Sequence, residues 1–242
     1  MTEPLILPAC CPSLNAYWPL SYLLPGVVLV SAAFDPEKLA EGDFQRSRID
    51  SPANIQRSVA KRQAEFLAGR LCARHALKQL DGRDYAPAMG DDRAPIWPVD
   101  ICGSITHSHG WAAAIVGQRT QWQGLGMDVE NLLDDARAQR LAGEILTPDE
   151  LQRMAAGSAE NLALLVTLTF SAKESLFKAL YPIVQKRFYF EDAEIVQWSA
   201  NGNARLRLLI DLSSDWPSGS ELDAQFSVQE GQLLSLVSIA AT

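Results

Sequence analysis

The sequence predicts an α+β fold of two similar lobes, each a long helix packed on a small antiparallel sheet. Three observations lead there. Helical periodicity is sustained over two long segments, one in each half of the chain. Short apolar runs with strand-like alternation surround both, and the halves meet in a stretch bracketed by Gly117 and Gly124. The lobes are accordingly placed at residues 1–120 and 121–242, although no convincing sequence repeat relates them.

Taken in order, Val27 to Phe34 (VVLVSAAF) reads as a buried strand, and Ile55 to Leu80 as a long helix closed by Asp81-Gly82. Gly69 lies inside that helix, where glycine costs about 1 kcal/mol against alanine, so close backbone packing or close ligand approach is expected. The runs Ile101 to Ile105 and Trp111 to Val116 predict a hairpin with a functional loop, Thr106-His107-Ser108-His109-Gly110. In the strand Trp122 to Glu130, Leu125, Met127 and Val129 alternate with Gly126, Asp128 and Glu130, which puts both carboxylates on one face.

Thr147-Pro148-Asp149-Glu150 is a helix start, with Thr147 as cap and Glu150 completing a capping box. A second long helix is expected from about Glu160 to Leu180, stopped by Pro182. Its apolar stripe is Leu162, Leu165, Val166, Leu176, Phe177 and Leu180; its polar stripe is Thr167, Ser171, Glu174 and Lys178. The runs Ala193 to Trp198, Arg205 to Ile210, Ala224 to Val228 and Leu233 to Ile239 complete a meander turning at Asn201-Gly202 and Pro217-Ser218-Gly219.

With 48% apolar and 21% charged residues, the chain is of the ordinary globular class. A net charge of −8 argues against a protein that coats nucleic acid. Pro4, Pro8, Pro12, Pro19 and Pro25 interrupt the apolar first thirty residues and the first cation is Lys38, so neither a signal peptide nor a membrane span is expected. Cys10, Cys11, Cys72 and Cys102 form no CxxC pair and no zinc spacing, which fits a reducing cytoplasm. Charge is uneven: eight cations and two acids lie between Arg46 and Lys78, either a solvated helix face or a site for a phosphorylated ligand or acidic partner.

Asp128 and Glu130 repel one another unless a cation sits between them, and a few hard oxygen ligands beside phosphate oxygens suit Mg²⁺. On spacing alone they read as an ordinary solvent-facing strand-edge pair. Phe170 to Lys178 (FSAKESLFK) adds Glu174, Lys173 and Lys178; Glu174 and Lys178 alone would be an i,i+4 helix pair. His107 between Thr106 and Ser108 offers a cation and hydroxyl donors of the kind a phosphate needs.

Three segments together, Gly103 to His107 (GSITH), Gly126 to Glu130 (GMDVE) and FSAKESLFK, resemble the signature of the Sfp-type phosphopantetheinyl transferases, which include the enterobactin-synthase activators. KRQAEFLAGRLCAR and RAPIWP are similar to the enterobactin-type branch. The resemblance covers roughly residues 55 to 190 and implies that family's two-lobed fold, with the active site between the lobes. It also implies transfer of phosphopantetheine from coenzyme A to a serine of an acyl or peptidyl carrier protein, releasing adenosine 3′,5′-bisphosphate.

Residue by residue, the resemblance makes Asp128, Glu130 and Glu174 the Mg²⁺ ligands. It makes Lys173 and Lys178 the basic positions of the same motif, Lys173 facing the phosphates. Thr106 and His107 match the phosphate-gripping loop, and Lys61, Arg62, Arg70 and Arg93 match basic residues around the adenosine and its 3′-phosphate. Asp128, Glu174 and Lys178 are the catalytic candidates, with Glu174 either ligand or base. The carrier family is acidic, which agrees with docking on the Arg46 to Lys78 region. No nucleic-acid or membrane partner is expected, and the chain is expected to be a monomer. Two other readings stay open at this point: an Mg²⁺-dependent hydrolase of coenzyme A or a related diphosphate, and a non-catalytic module that binds coenzyme A or a partner protein.

Overall fold

The computed structural model describes residues 7–156 and 162–241, which fall into two compact units. The first takes the chain up to Trp18 and Leu24–Gln121; the second takes Pro19–Leu23 and everything from Trp122 onward.

In the first unit, strand β1 (Val27–Ala33) pairs antiparallel with β5 (Trp111–Gln118), which pairs with β4 (Ile101–Ser108), giving the order β1-β5-β4. Helix α3 (Ala60–Asp81) packs on β5 and β1. The contact is built from small side chains: Ala64, Ala68, Ala73 and Ala76 of the helix share a core with Ala112 and Ala114 of β5. Gly69 belongs to this interface, since a Cβ there would lie 2.8 Å from Ile105 Cγ2 of β4. Leu67, Leu71 and Leu77 fill the remaining volume, each fully buried and contributing about 1.5–3 kcal/mol.

Two expectations change here. The helix does not begin at Ile55: a short helix α2 (Ala53–Gln56), preceded by α1 (Asp43–Arg46), ends at Arg57, and α3 starts after extended Val59. The break is held by polar side chains, with Ser58 Oγ donating to the Ile55 carbonyl and Gln63 Nε2 to the Ser58 carbonyl. Nor is Thr106 to Gly110 a loop. Strand β4 runs through Ser108 and the turn is only His109-Gly110, where Gly110 takes a left-handed φ of 67°. Between α3 and β4, β2 (Ala88–Met89) and β3 (Pro95–Ile96) form a small separate hairpin.

In the second unit, β6 (Trp122–Asn131), β7 (Ala193–Ser199), β8 (Asn203–Leu208), β9 (Glu221–Gln229) and β10 (Gln232–Ala240) form an antiparallel sheet in the order β6-β10-β9-β8-β7. Helix α6 (Leu162–Val184) lies on β6 and β10. The expected start at Glu160 lies outside the described residues. Pro182 does not stop this helix; it sits in the last turn, where only the Lys178 carbonyl loses a partner, and Gln185 at φ 52° closes the end one turn later. Helix α4 (Asp135–Ile145), absent from the sequence reading, is capped by Asp134 and buries Ala138, Ala142 and Ile145 at helical spacing. Helix α5 (Pro148–Ala156) begins at the expected capping box: the Thr147 N–H donates to Glu150 Oε2 at 2.8 Å and the Glu150 N–H to Thr147 Oγ1 at 3.2 Å. Among the described residues no helix is long and apolar enough to cross a membrane.

Candidate active site

Two glycines set the geometry of the second unit. Gly124 and Gly126 lie on the face of β6 that meets α6. A Cβ on Gly126 would overlap the Ser175 carbonyl oxygen and come 2.5 Å from the Ala179 nitrogen. With no side chain between them, strand and helix backbones touch. The alternation of β6 then carries Asp128 and Glu130 up the same face, toward the Glu174 and Lys178 side of the helix. A buried serine cluster below supports the contact: Ser171 Oγ and Ser175 Oγ lie 2.7 and 2.8 Å from Ser235 Oγ of β10, the residue opposite Asp128.

The charged groups are mutually tuned. Lys178 Nζ donates to Asp128 Oδ1 at 2.6 Å and to the Met127 carbonyl at 3.2 Å. Burial, and after it the Asp128 charge, pushes the Glu130 carboxyl up to about 7, against weaker pulls from Lys178 and Arg137. Burial also raises the Glu174 carboxyl, with Lys178 opposing and Asp128 reinforcing the shift. Lys178 therefore answers Asp128, and the uncompensated negative charge falls on Glu130 and Glu174.

The three acids meet in one neighbourhood without forming a ready coordination cage: among the described residues no group of three or more His, Cys, Asp or Glu side chains is placed to hold a metal ion. In donor chemistry they fit a hard divalent cation, since they are oxygen ligands whose mutual repulsion and burial such a charge would relieve.

Lys173 corrects an expectation. It borders the cavity that Glu174 also lines, but its ammonium is not offered to a phosphate. It is buried at 3% exposure, donating to the Ile145 carbonyl, Glu150 Oε2 and the Phe190 carbonyl at 2.9, 2.7 and 2.9 Å. All three N–H bonds are used. Glu150 also accepts from the Ile195 N–H at 2.6 Å, so this pair ties α4, α5, α6 and β7 together.

Two cavities flank Phe190. One of about 260 Å³ is lined by Glu130, Arg137 and the apolar Leu133, Leu141, Ile145 and Phe170. The other, about 210 Å³, is lined by Glu174, Phe177, Phe188, Tyr189 and Arg187. The sequence reading missed Arg137, Phe190 and the Glu150 hub. The Asp134 cap followed by alanines at helical spacing was the available signal for Arg137.

In the first unit, His107 pairs opposite Ala112 and reaches α3. Arg62 Nη1 lies 2.7 Å from His107 Nε2 and 3.4 Å from Glu65 Oε2. A guanidinium only donates, so Nε2 is the acceptor in that pair, and Nδ1 lies 3.6 Å from Glu65 Oε2. Arg70 is buried with its guanidinium 4.5 Å over the Phe66 ring and its Nε unbonded. Burial, then the nearby Arg62 charge, lowers its pKa to about 10, and among the described residues it has no carboxylate partner. Arg74, by contrast, is consumed by a bidentate pair with Asp84 and a 2.8 Å bond to the Ser47 carbonyl. Thr106 is buried in β4, while Lys61 and Arg93 are exposed, Arg93 at a left-handed φ of 71°. No hydrogen bond or ion pair among the described residues joins Lys61 or Arg93 to the Arg62–His107 group.

Comparison with known proteins finds the following similarities. The model of the 4′-phosphopantetheinyl transferase N-terminal domain matches residues 50–117, and that of the 4′-phosphopantetheinyl transferase superfamily matches residues 124–235. Enterobactin synthase component D of Escherichia coli K12 is 38% identical over 72% of this chain and 80% of its own length. The 4′-phosphopantetheinyl transferase PptT of Mycobacterium tuberculosis is 36% identical over 76% of this chain and 82% of its own. Among solved structures, a holo-ACP synthase from Plasmodium yoelii aligns with a TM-score of 0.39 at 18% identity, covering 50% of this chain and 96% of that one.

Proposed function

The chain belongs to the 4′-phosphopantetheinyl transferase superfamily, and from that premise we propose how its residues perform the transfer of phosphopantetheine from coenzyme A to a carrier-protein serine. The observation that carries the assignment is the backbone contact of Gly124 and Gly126 with α6, which gathers Asp128, Glu130, Glu174 and Lys178.

In the reaction the serine Oγ forms a bond to the β-phosphorus of coenzyme A while the bond from that phosphorus to the bridging oxygen breaks. Adenosine 3′,5′-bisphosphate leaves with the electron pair. Glu174 takes the hydroxyl proton, a role suited to a half-buried carboxylate of raised pKa. Lys178 gives one N–H to Asp128 and one to the Met127 carbonyl, which leaves the third for a phosphate oxygen. Asp128, Glu130 and Glu174 would hold Mg²⁺, which when bound neutralises charge on the diphosphate.

The first unit supplies the nucleotide contacts. Arg70, buried without an anionic partner, and the Arg62–His107 pair suit the phosphates of the adenosine half. Lys61 and Arg93 are weaker candidates, for no hydrogen bond or ion pair among the described residues joins them to that pair, while Thr106 is buried in β4 beside His107. The cavity beside Glu130, whose wall mixes Arg137 and Glu144 with Leu133, Leu141, Ile145 and Phe170, suits the amide-bearing pantetheine arm that continues from the β-phosphate. The similarity to enterobactin synthase component D supports carriers of siderophore assembly as acceptors, acting in the cytoplasm.

Intact mass of apo carriers after incubation with the protein, coenzyme A and Mg²⁺, beside an EDTA control, tests this. One phosphopantetheine mass should appear, vanish with EDTA and vanish in Asp128→Ala. Coenzyme A cleavage without any acceptor would replace the transferase with the hydrolase reading, and binding with neither outcome would leave the module reading.

A further inference from the structure

Resting on the transferase reading above, we infer that Glu150 is a positioning residue for the transfer. Through Lys173 it holds Phe190 against the turn of α6 that carries Glu174, without touching substrate itself.

Glu150 does more than its own helix requires. The capping box of α5 needs an acceptor for the Thr147 N–H, which a glutamine would supply equally. Yet Glu150 is buried, and its two oxygens take three donors: Oε2 the Thr147 N–H and the Lys173 ammonium, Oε1 the Ile195 N–H. The cap does not need a charge, but a buried ammonium does. The neighbouring acid Glu194 is taken by Arg153 at 2.7 Å and approached by Arg207 at 3.7 Å. Among the described residues, Glu150 is therefore the carboxylate hydrogen-bonded to Lys173.

The ammonium held in this way sets where Phe190 stands. Its two other N–H groups go to the carbonyls of Ile145 and Phe190, both at 2.9 Å. The Phe190 ring packs on that of Phe170 at 5.3 Å, and Phe170 lies four residues before Glu174 on the same face of α6. Phe190 is thus fixed at its carbonyl and at its ring. It stands in the wall of the cavity lined by Glu174 and of the one lined by Glu130. Reactants held beside those acids are sensitive to small shifts of such a wall, since misplacement by about 1 Å can cost about a hundredfold in rate.

Glu150→Gln, Lys173→Met and the double variant test this by steady-state transfer to an apo carrier, thermal denaturation and calorimetric binding of adenosine 3′,5′-bisphosphate. Each single variant leaves one member of the buried pair without its partner and should lose stability. The double variant removes both charges, and the introduced amide can still accept from Thr147 and Ile195, so its stability should return toward wild type. Its kcat/KM for coenzyme A should nonetheless stay about tenfold below wild type, because no donor reaches the Phe190 carbonyl. Glu150→Gln alone should lose the same factor, as expected when one residue acts through the other. Adenosine 3′,5′-bisphosphate, which lacks the pantetheine arm, should bind all three variants within about twofold of wild type. Transfer that recovers together with stability in the double variant overturns the inference, since the pair would then hold only the fold. Wild-type kcat/KM in Glu150→Gln, or a matching loss of bisphosphate binding, overturns it too. A wild-type protein that transfers to no carrier instead overturns the functional reading beneath it.

Discussion

The two units use the same arrangement and set functional groups of opposite sign beside their long helices. In each, the strand that enters the unit's sheet before the long helix, β1 or β6, pairs antiparallel with the last strand, β5 or β10, and the helix lies across both. In each, glycine lets helix and sheet approach. In the first unit it is Gly69 on the helix, meeting the tip of an isoleucine; in the second it is Gly126 on the strand, meeting backbone. The first unit then keeps cations beside its helix, Arg62 and Arg70, and the second keeps acids, Asp128, Glu130 and Glu174. One packing solution therefore fixes where functional groups stand without fixing their sign.

The buried cations give the sharpest contrast. Lys173 spends every donor on Glu150 and two carbonyls, whereas Arg70 has no carboxylate partner among the described residues. Lys173→Met should cost about 3–5 kcal/mol in chemical denaturation, because Glu150 is left buried and uncompensated. Arg70→Met should leave stability unchanged or higher while raising the KM for coenzyme A. Equal destabilisation by the two would break the distinction between a structural and a ligand-directed cation.

The glycines come next. Gly126→Ala should cost about 3 kcal/mol and abolish transfer, since backbone cannot yield to a methyl group. Gly69→Ala should stay within about 1 kcal/mol of wild type, because the isoleucine tip can move and alanine favours the helix. Thermal denaturation of both variants, with activity at permissive temperature, decides this.

The smallest effect concerns pH. The Glu130 carboxyl is raised in the folded protein from an ordinary 4.5 to about 7, so the folded state holds that proton more tightly than the unfolded chain. Stability of the metal-free protein should accordingly fall as pH rises from about 4.5 to 7, by about 1 kcal/mol after allowing for solvent around a half-buried group. Glu130→Gln should flatten that slope. At pH 8, Mg²⁺ should raise the Tm of the wild type more than that of the variant; equal shifts would remove Glu130 from the cation site.

Much of this was legible in the sequence. Alternation in β6 placed Asp128 and Glu130 together, and Thr147 with Glu150 announced the start of α5. The i,i+4 spacing of Glu174 and Lys178 put them on one helix face. Lys173, expected to face the phosphates, falls outside that face, since five residues from Lys178 is about 140° around the axis. The loop expected at Thr106 to Gly110 failed for a different reason. Polar residues there look like a loop in one dimension, but pairing with β5 and a two-residue turn at Gly110 make them strand.

The sequence by itself determined most of the strands, the two long helices in outline, the face of β6 that carries Asp128 and Glu130, and the family, because backbone periodicity and short motifs are local properties. Only the tertiary structure decided which charges are spent and which are offered. Arg74 is answered by Asp84 and Ser47, Lys173 by Glu150, and Arg70 by no carboxylate among the described residues. Those partners arrive from distant parts of the chain or fail to arrive. Whether a charge is satisfied depends on what folding brings within about 3 Å, which residue spacing does not encode.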